Sequence, residues 1–178
     1  MLAGFVARNH PQQIARENGI AKDEVDDRRT PRSLFLLLDH EFGPFDLDAA
    51  ASAENAQCMA YHTRERDGLQ HPWWGVVWVN PPYSNLSAWV AKAWDEARHC
   101  QRIVMLVPAN RCEQPWWQHH IEPHRDRLHR AGCVTLSTRF LAGRPRFGGS
   151  RACDDGKGNR PPFGCVLLIW EPVSRGAA

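Results

Sequence analysis

Long apolar runs are missing from this chain. None approaches the roughly 20 residues that a membrane-spanning helix needs, although 43% of its 178 residues are hydrophobic. The opening residues, among them Arg8, Asn9, His10 and Pro11, carry no signal-peptide core. No membrane contact is therefore expected, and the cytoplasm is the expected compartment. An excess of one charge is also missing. Lys+Arg number 22 against 20 Asp+Glu, a net charge of +2, which by itself does not argue for a nucleic-acid partner. The 6 cysteines (Cys58, Cys100, Cys112, Cys133, Cys153 and Cys165) include no Cys-x-x-Cys pair, and read as reduced, partly core residues. The His-rich stretch His119, His120, His124 and His129, near Cys112 and Cys133, fits no strong zinc spacing, so no metal is expected. No separate helical domain for reading a target sequence is visible, and the length suits one domain with a sizeable core.

What is present centres on Trp74-Gly75-Val76-Val77-Trp78-Val79-Asn80-Pro81-Pro82-Tyr83. Val76 to Val79 is apolar, β-branched and free of charge, and reads as a buried strand. It must end at Asn80, because proline cannot donate to a sheet ladder. Each proline also holds its predecessor extended. The product is a stiff turn at a strand's C-terminal edge, where open α/β sheets place their ligands. The Asn80 amide oxygen and the Pro81 carbonyl are two acceptors at fixed separation, suited to a planar exocyclic NH2 group. Tyr83 offers a ring face on which a base can stack, worth about 1–3 kcal/mol. The plain alternative is an Asn-Pro turn closing an ordinary strand.

Residues 1–27 are polar and mixed and read as an N-terminal extension, with partial disorder expected. Residues 28–175 read as a single domain. Thr30-Pro31 reads as a helix start, Thr30 capping and Pro31 in first position. Leu34, Leu37, Leu38 and Phe42 supply its buried face, and Gly43-Pro44 ends it. Phe45 to Ala51 reads as a first strand with Asp46 and Asp48 on one face. Asn55 to Tyr61 reads as a second strand, and the short span to Trp74 leaves a shortened sheet. Leu86, Trp89, Val90, Ala93, Trp94 and Ala97 form an amphipathic helix behind the capping pair Ser84-Asn85, with both tryptophans facing the core. Ile103 to Val107, Cys133 to Leu136 and Phe163 to Trp170 are further strands, and Pro115-Trp116-Trp117 starts a further helix. Asn110 and Arg111 stand at the edge where Pro108 ends its strand. One or two of the 8 Trp are expected to line a pocket. Residues 139–162, rich in Gly, Arg and Pro, are long for a loop in a compact domain. From Arg125 to Arg160 cations outnumber anions. Arg144, Arg146 and Arg151 are candidates for phosphate or base contacts, and Phe147 for the second wall of a base pocket. The alternative is a solvated charged face.

These pieces in order resemble the phage-type DNA N6-adenine methyltransferase (Dam-like) family, which is dependent on S-adenosylmethionine. The matching pieces are Thr30-Pro31, Phe45 to Ala51, Asp67-Gly68-Leu69, Trp78 to Tyr83, Val107-Pro108, Gly143 to Phe147 and the final Phe163 to Trp170 strand. Together they cover roughly residues 28–172. Asn-Pro-Pro-Tyr alone is shared by several methyltransferase families, whereas the ordered set is far more specific. The chain departs from the broader pattern in having Ala49, Ala50 and Ala51 where a Gly-x-Gly is usual. Alanines allow a looser approach, which matters less for a cofactor without pyrophosphate.

The resemblance implies an α/β fold: a Rossmann-like class I methyltransferase sheet, shortened, with helices on both faces. It implies S-adenosylmethionine as cofactor, with Thr30, Pro31, Asp46, Asp48, Ala49, Asp67 and Asn80 around it. Other readings stand beside these: a plain cap for Thr30-Pro31, a helix N-cap for Asp48 and an Asp-Gly turn for Asp67. It implies catalysis by Asn80, Pro81, Pro82 and Tyr83 on the N6 of an adenine flipped out of double-stranded DNA. No obligatory protein partner is implied, and a phage-encoded chain would work in the bacterial host cytoplasm. Cytosine N4 presents a similar amino group, and related turns serve enzymes that methylate protein glutamine or RNA guanine. A nucleic-acid-binding relative without catalysis is the alternative from another class.

Overall fold

A computed structural model describes residues 28–126, 134–148 and 161–173. The expectations for residues 1–27, Cys133, Cys153, Arg151 and much of the Gly/Arg-rich loop lie outside the described residues. Among these there are six strands: β1 (Leu47–Asp48), β2 (Ala60–Tyr61), β3 (Val76–Val79), β4 (Arg102–Pro108), β5 (Val134–Phe140) and β6 (Cys165–Pro172). They form one sheet in the order β2-β1-β3-β4-β6-β5. The first four strands are mutually parallel, β6 is antiparallel to β4, and β5 is antiparallel to β6. Three helices accompany them: α1 (Arg32–Phe42), α2 (Leu86–Glu96) and α3 (Pro115–His120).

Side-chain register shows that helices cover both faces. Residues paired across a sheet project to the same side, and neighbours along a strand to opposite sides. Trp78, Val104 and Ile169 are therefore on one face, and Val77, Ile103 and Trp170 on the other. Helix α1 meets the first face through Phe35, edge-on to Trp78 at 5.8 Å. Helix α2 meets the second through Trp94, edge-on to Trp170 at 5.9 Å. Strands buried on both sides need unbroken apolar sequence, which Ile103 to Val107 and Val166 to Ile169 supply.

Several local expectations are corrected. Thr30 does not cap α1: Pro31 occupies the cap position, with no side-chain capping bond. Leu37 is 68% exposed, while Phe35 and Leu38 are buried. At about 100° per residue, the buried arc runs from Leu34 towards Phe35 and leaves Leu37 outside it. Asn85 precedes α2 without a side-chain capping bond, inside a 3-10 turn over Tyr83–Asn85. The first two strands are two residues each, not the expected Phe45 to Ala51 and Asn55 to Tyr61. The cause is visible in the hydrogen bonds. Asp46 Oδ2 accepts from Val76 N at 2.8 Å, so a side chain takes a place a ladder carbonyl would hold. Beyond the strand, Asp48 Oδ1 accepts from Ala50 N at 3.3 Å, turning the chain away. In contrast, β5 runs on past Leu136 to Phe140, pairing with β6 throughout. Its Ser137, Thr138 and Arg139 are tolerated because an edge strand need not be buried on both faces.

One close approach shapes the crevice at this thin edge. A Cβ on Gly68 would stand 2.1 Å from the Ala49 carbonyl oxygen. Trp73 Nε1 also donates to the Gly68 carbonyl at 2.8 Å. Gly68→Ala must push two backbone segments apart, so we expect a loss of about 1–3 kcal/mol. Urea or thermal denaturation measures it, and an unchanged midpoint would contradict the close packing.

Candidate active site

Strand β1 has β2 on one side and β3 on the other, so the chain order reverses there. Ligands of open α/β sheets bind at the carboxyl ends of strands flanking such a reversal. A cleft of about 680 Å³ lies at that place, lined by Thr30, Asp48, Ala49, Asp67, Trp78 and Asn80 among others. Its size suits a cofactor.

Asp48 ends β1 and is only 3% exposed. Its Oδ2 accepts from Gln57 N at 3.0 Å and its Oδ1 from Ala50 N. Burial outweighs those two bonds and pushes the carboxyl up from 3.8 to about 6. Ala49 lies beside it, fully buried, its N–H donating to the Trp78 carbonyl at 3.0 Å. Asp67 adopts φ +44° and accepts from Leu69 N at 3.1 Å, so it forms the Asx turn the plain reading foresaw. It lines the cleft all the same.

Asn80 stands where β3 stops. Its Nδ2 donates to the Arg28 carbonyl at 2.6 Å. Its Oδ1 is buried and has no hydrogen-bond partner, as is the Thr30 hydroxyl. His62 is a cleft residue the sequence reading missed, along with Gln57. The ring contacts the Pro72 carbonyl through Nε2 at 3.3 Å and leaves Nδ1 buried without a partner. Burial lowers its pKa and favours the neutral ring, so with Nε2 donating, Nδ1 is an acceptor. Gln57 ties the wall together, donating through Nε2 to the Thr30 carbonyl at 3.2 Å. Neither residue sits in a recognisable spacing. The only signal in sequence was the proximity of both to Asp48 across a short loop.

Other candidates fall elsewhere. Asp46 is not brought to the cleft, because its carboxylate is spent on the start of β3. Pro31 faces a second cavity, of about 1190 Å³, whose walls include Arg29, Arg32, Arg144 and Arg146. Pro82 lines the cleft, whereas Pro81 is buried behind it. Tyr83 does not present an open ring face. It is 6% exposed, with Phe147 edge-on at 6.4 Å, Phe163 tilted at 6.2 Å and the Arg28 guanidinium 5.6 Å from its ring centre. Phe147 thus lies edge-on beside Tyr83, buried, and lines neither cavity. Arg111 bears electrostatically on Tyr83, although neither it nor Asn110 lines the cleft. Of the tryptophans, Trp78 and Trp89 line it. Among the described residues no cluster of His, Cys, Asp and Glu could hold a metal ion. No helix there is long and apolar enough to cross a membrane.

A family model described as Dam, DNA N-6-adenine-methyltransferase, matches residues 18–174. The chain belongs to that family. Among its relatives, the DNA N-6-adenine-methyltransferase of Escherichia phage T1 is 43% identical over 84 residues, 46% of this chain and 35% of that protein. The chain thus spans about a third of that relative's length. YfdM of Escherichia coli (strain K12), a provisionally named methyltransferase, is 37% identical over 83 residues, 43% of this chain and 85% of YfdM. The crystal structure of PH1948 from Pyrococcus horikoshii, provisionally named an RNA methyltransferase, matches with a TM-score of 0.51. It covers 87% of this chain and 91% of that one at 14% identity, a likeness of fold alone. The Rossmann-like methyltransferase sheet expected from sequence is the observed fold, shortened at the β2 edge.

The cleft chemistry fits the methyl donor that such a family implies. S-adenosylmethionine carries hydrogen-bond donors in its ammonium, ribose hydroxyls and adenine amino group, plus a positive sulfur. The cleft offers acceptors: the Asp48 and Asp67 carboxylates and His62 Nδ1. The Asp48 shift has a consequence for the ligand-free Dam-family chain. A carboxyl whose folded pKa is raised favours the native state below 3.8, and that contribution is lost as pH rises through about 6. Across that window stability should fall by up to roughly 3 kcal/mol from this group. Urea titrations at stepped pH should show the slope in the unsubstituted protein and a flatter one in Asp48→Asn. Identical slopes would contradict the burial of the carboxylate.

Proposed function

We propose that this chain transfers a methyl group from S-adenosylmethionine to the N6 of an adenine flipped out of double-stranded DNA, with residues 28–175 as one methyltransferase domain. The observation that carries the reading is Asn80: a buried amide oxygen without a partner, at the strand end that shares a cleft with a buried carboxylate. The cofactor supplies an activated methyl on its positive sulfur. Asp48 and Asp67 accept from its hydroxyl, ammonium and amino donors, with Thr30 and Ala49 completing the wall. Asp46 drops out of this set, since its bond to Val76 N engages it elsewhere.

Asn80 Oδ1 accepts a hydrogen from the target amino group and fixes that nitrogen for in-line attack at roughly 3 Å. Its Nδ2 cannot swing in instead, because the Arg28 carbonyl holds it. The Pro81 carbonyl is the second acceptor once the turn exposes it, and Tyr83 stacks on the ring. No strong base is needed before attack, since an alkylated amino nitrogen is acidic. A paired base cannot bring its amino group to this depth, so it must leave the stack. Arg144 and Arg146, with Arg151 further along the loop, meet phosphates.

Incubation with labelled cofactor and plasmid DNA, followed by nucleoside analysis, tests the reading. N6-methyladenine is the expected product; N4-methylcytosine, or no label in DNA, would overturn it. Asn80→Ala should lower methylation by on the order of 10²-fold while cofactor affinity stays within about twofold of the unsubstituted protein, as the lost interaction forms chiefly in the transition state. Full activity in Asn80→Ala would refute the mechanism. Replacing Arg144 and Arg146 together by Ala should weaken DNA binding and lower the slope of log affinity against log salt by about two. An unchanged slope would remove these residues from the interface.

A further inference from the structure

Behind Asn80 three rings from distant parts of the chain meet: Tyr83, Phe147 and Phe163. The Arg28 guanidinium reaches among them, 5.6 Å from the Tyr83 ring centre and 5.3 Å from that of Phe163. The same residue's carbonyl accepts from Asn80 Nδ2. One residue thus spans the catalytic amide and the aromatic walls. That span is what adenine needs, with its amino group at the amide and its ring against Tyr83.

We propose that the Arg28 guanidinium, lying against Tyr83 and Phe163, occupies in the DNA-free protein the place a flipped base takes on the Tyr83 ring, and must withdraw before the base can stack there. The inference rests on the methyltransferase reading and adds to it the group that must leave the Tyr83 ring. Three observations support it. Tyr83 and Phe163 are each 6% exposed, so no base reaches their faces while Arg28 stays. The guanidinium is planar and lies against π-faces, an interaction a planar base can replace in kind. The amide is capped on its donor side and left without a partner on its buried acceptor side, which a contact serving only stability has no reason to do. The neighbouring residue anchors this strap: Arg29 N donates to the Gly148 carbonyl at 2.9 Å, and Gly148 N to the Arg29 carbonyl at 3.0 Å. The strap is therefore fixed to the segment bearing Arg144 and Arg146, so phosphate contacts there are mechanically joined to the arginine that must withdraw.

The experiment compares the unsubstituted chain with Arg28→Ala and Arg28→Met, all three checked by thermal melting. The probe is a duplex carrying 2-aminopurine at the adenine found methylated on plasmid DNA. Removing the occupant should raise 2-aminopurine fluorescence in the complex several-fold and lower KM for DNA several-fold. The Met variant keeps the apolar stem, so it separates loss of the planar cation from loss of packing. Folded variants with unchanged or weaker fluorescence and an unchanged or raised KM would overturn the proposal, showing Arg28 to be a contact for DNA instead. Absence of adenine methylation by the unsubstituted chain would instead sink the functional reading, so the two failures are distinguishable.

Discussion

A single hydrogen bond organises the site: Asn80 Nδ2 to the carbonyl of Arg28, 52 positions earlier in the chain. Strand β3 is forced to stop at Pro81-Pro82, which delivers Asn80 to the carboxyl edge of the sheet. That delivery alone leaves the amide free to rotate. The Arg28 carbonyl removes the freedom and decides which end of the amide faces the cleft. Everything that keeps residues 28–30 in place therefore acts on Asn80. Gln57 holds Thr30 from the side of Asp48, and Gly148 holds Arg29 from the side of the Gly/Arg-rich loop. The cleft wall at Asp48, the Asn80 amide and the segment bearing Arg144 and Arg146 are coupled through three consecutive residues.

Sequence disclosed the parts of this arrangement that depend on neighbours in the chain. Val76 to Val79, Ile103 to Val107 and Val166 to Ile169 are unbroken apolar runs, and central strands demand that. Trp89 and Val90 recur with Leu86 at helical steps, and α2 follows. Motif order singled out Asp48, Ala49, Asp67 and Asn80, and all four line the one cleft. Contacts made across the chain were not legible. Nothing near Asp46 says that its carboxylate will bond to Val76 N thirty positions on, shortening β1 and removing Asp46 from the cleft. Nothing near Tyr83 says that Phe147 and Phe163 will close over it. Leu37 looked like core because apolar character marks a residue as able to be buried, while the helix's rotation decides which residues are. His62 and Gln57 escaped notice because a buried imidazole and a wall-forming amide have no spacing of their own.

The two sides of the cleft rest on regions of unequal strength. Asn80 hangs from β3, which is laddered to β4 and through it to β6, the most deeply buried strands. Asp48, His62 and Asp67 sit on the other side, where β1 and β2 are two residues each and loops form most of the wall. That division suits the proposed function: an amide that aligns a reacting nitrogen must not drift, since misplacement by an ångström degrades attack, whereas a wall whose ligand must enter and leave has the opposite need.

The thin side also carries buried polar groups that the protein itself does not satisfy. Asp48 is buried against its preference to be charged, and Thr30 Oγ1 and His62 Nδ1 are buried without partners. Each such group costs the empty protein about 1–3 kcal/mol. These costs fall in one cleft, where a ligand rich in hydrogen-bond donors would relieve them together. Stabilising the empty state by filling these groups with internal partners would remove the acceptors that make binding favourable. On the proposed function, the weakness of this edge is a condition of binding rather than a defect of packing. The close approach of Gly68 to Ala49 is then one of the fixed points that hold an otherwise thin wall in shape.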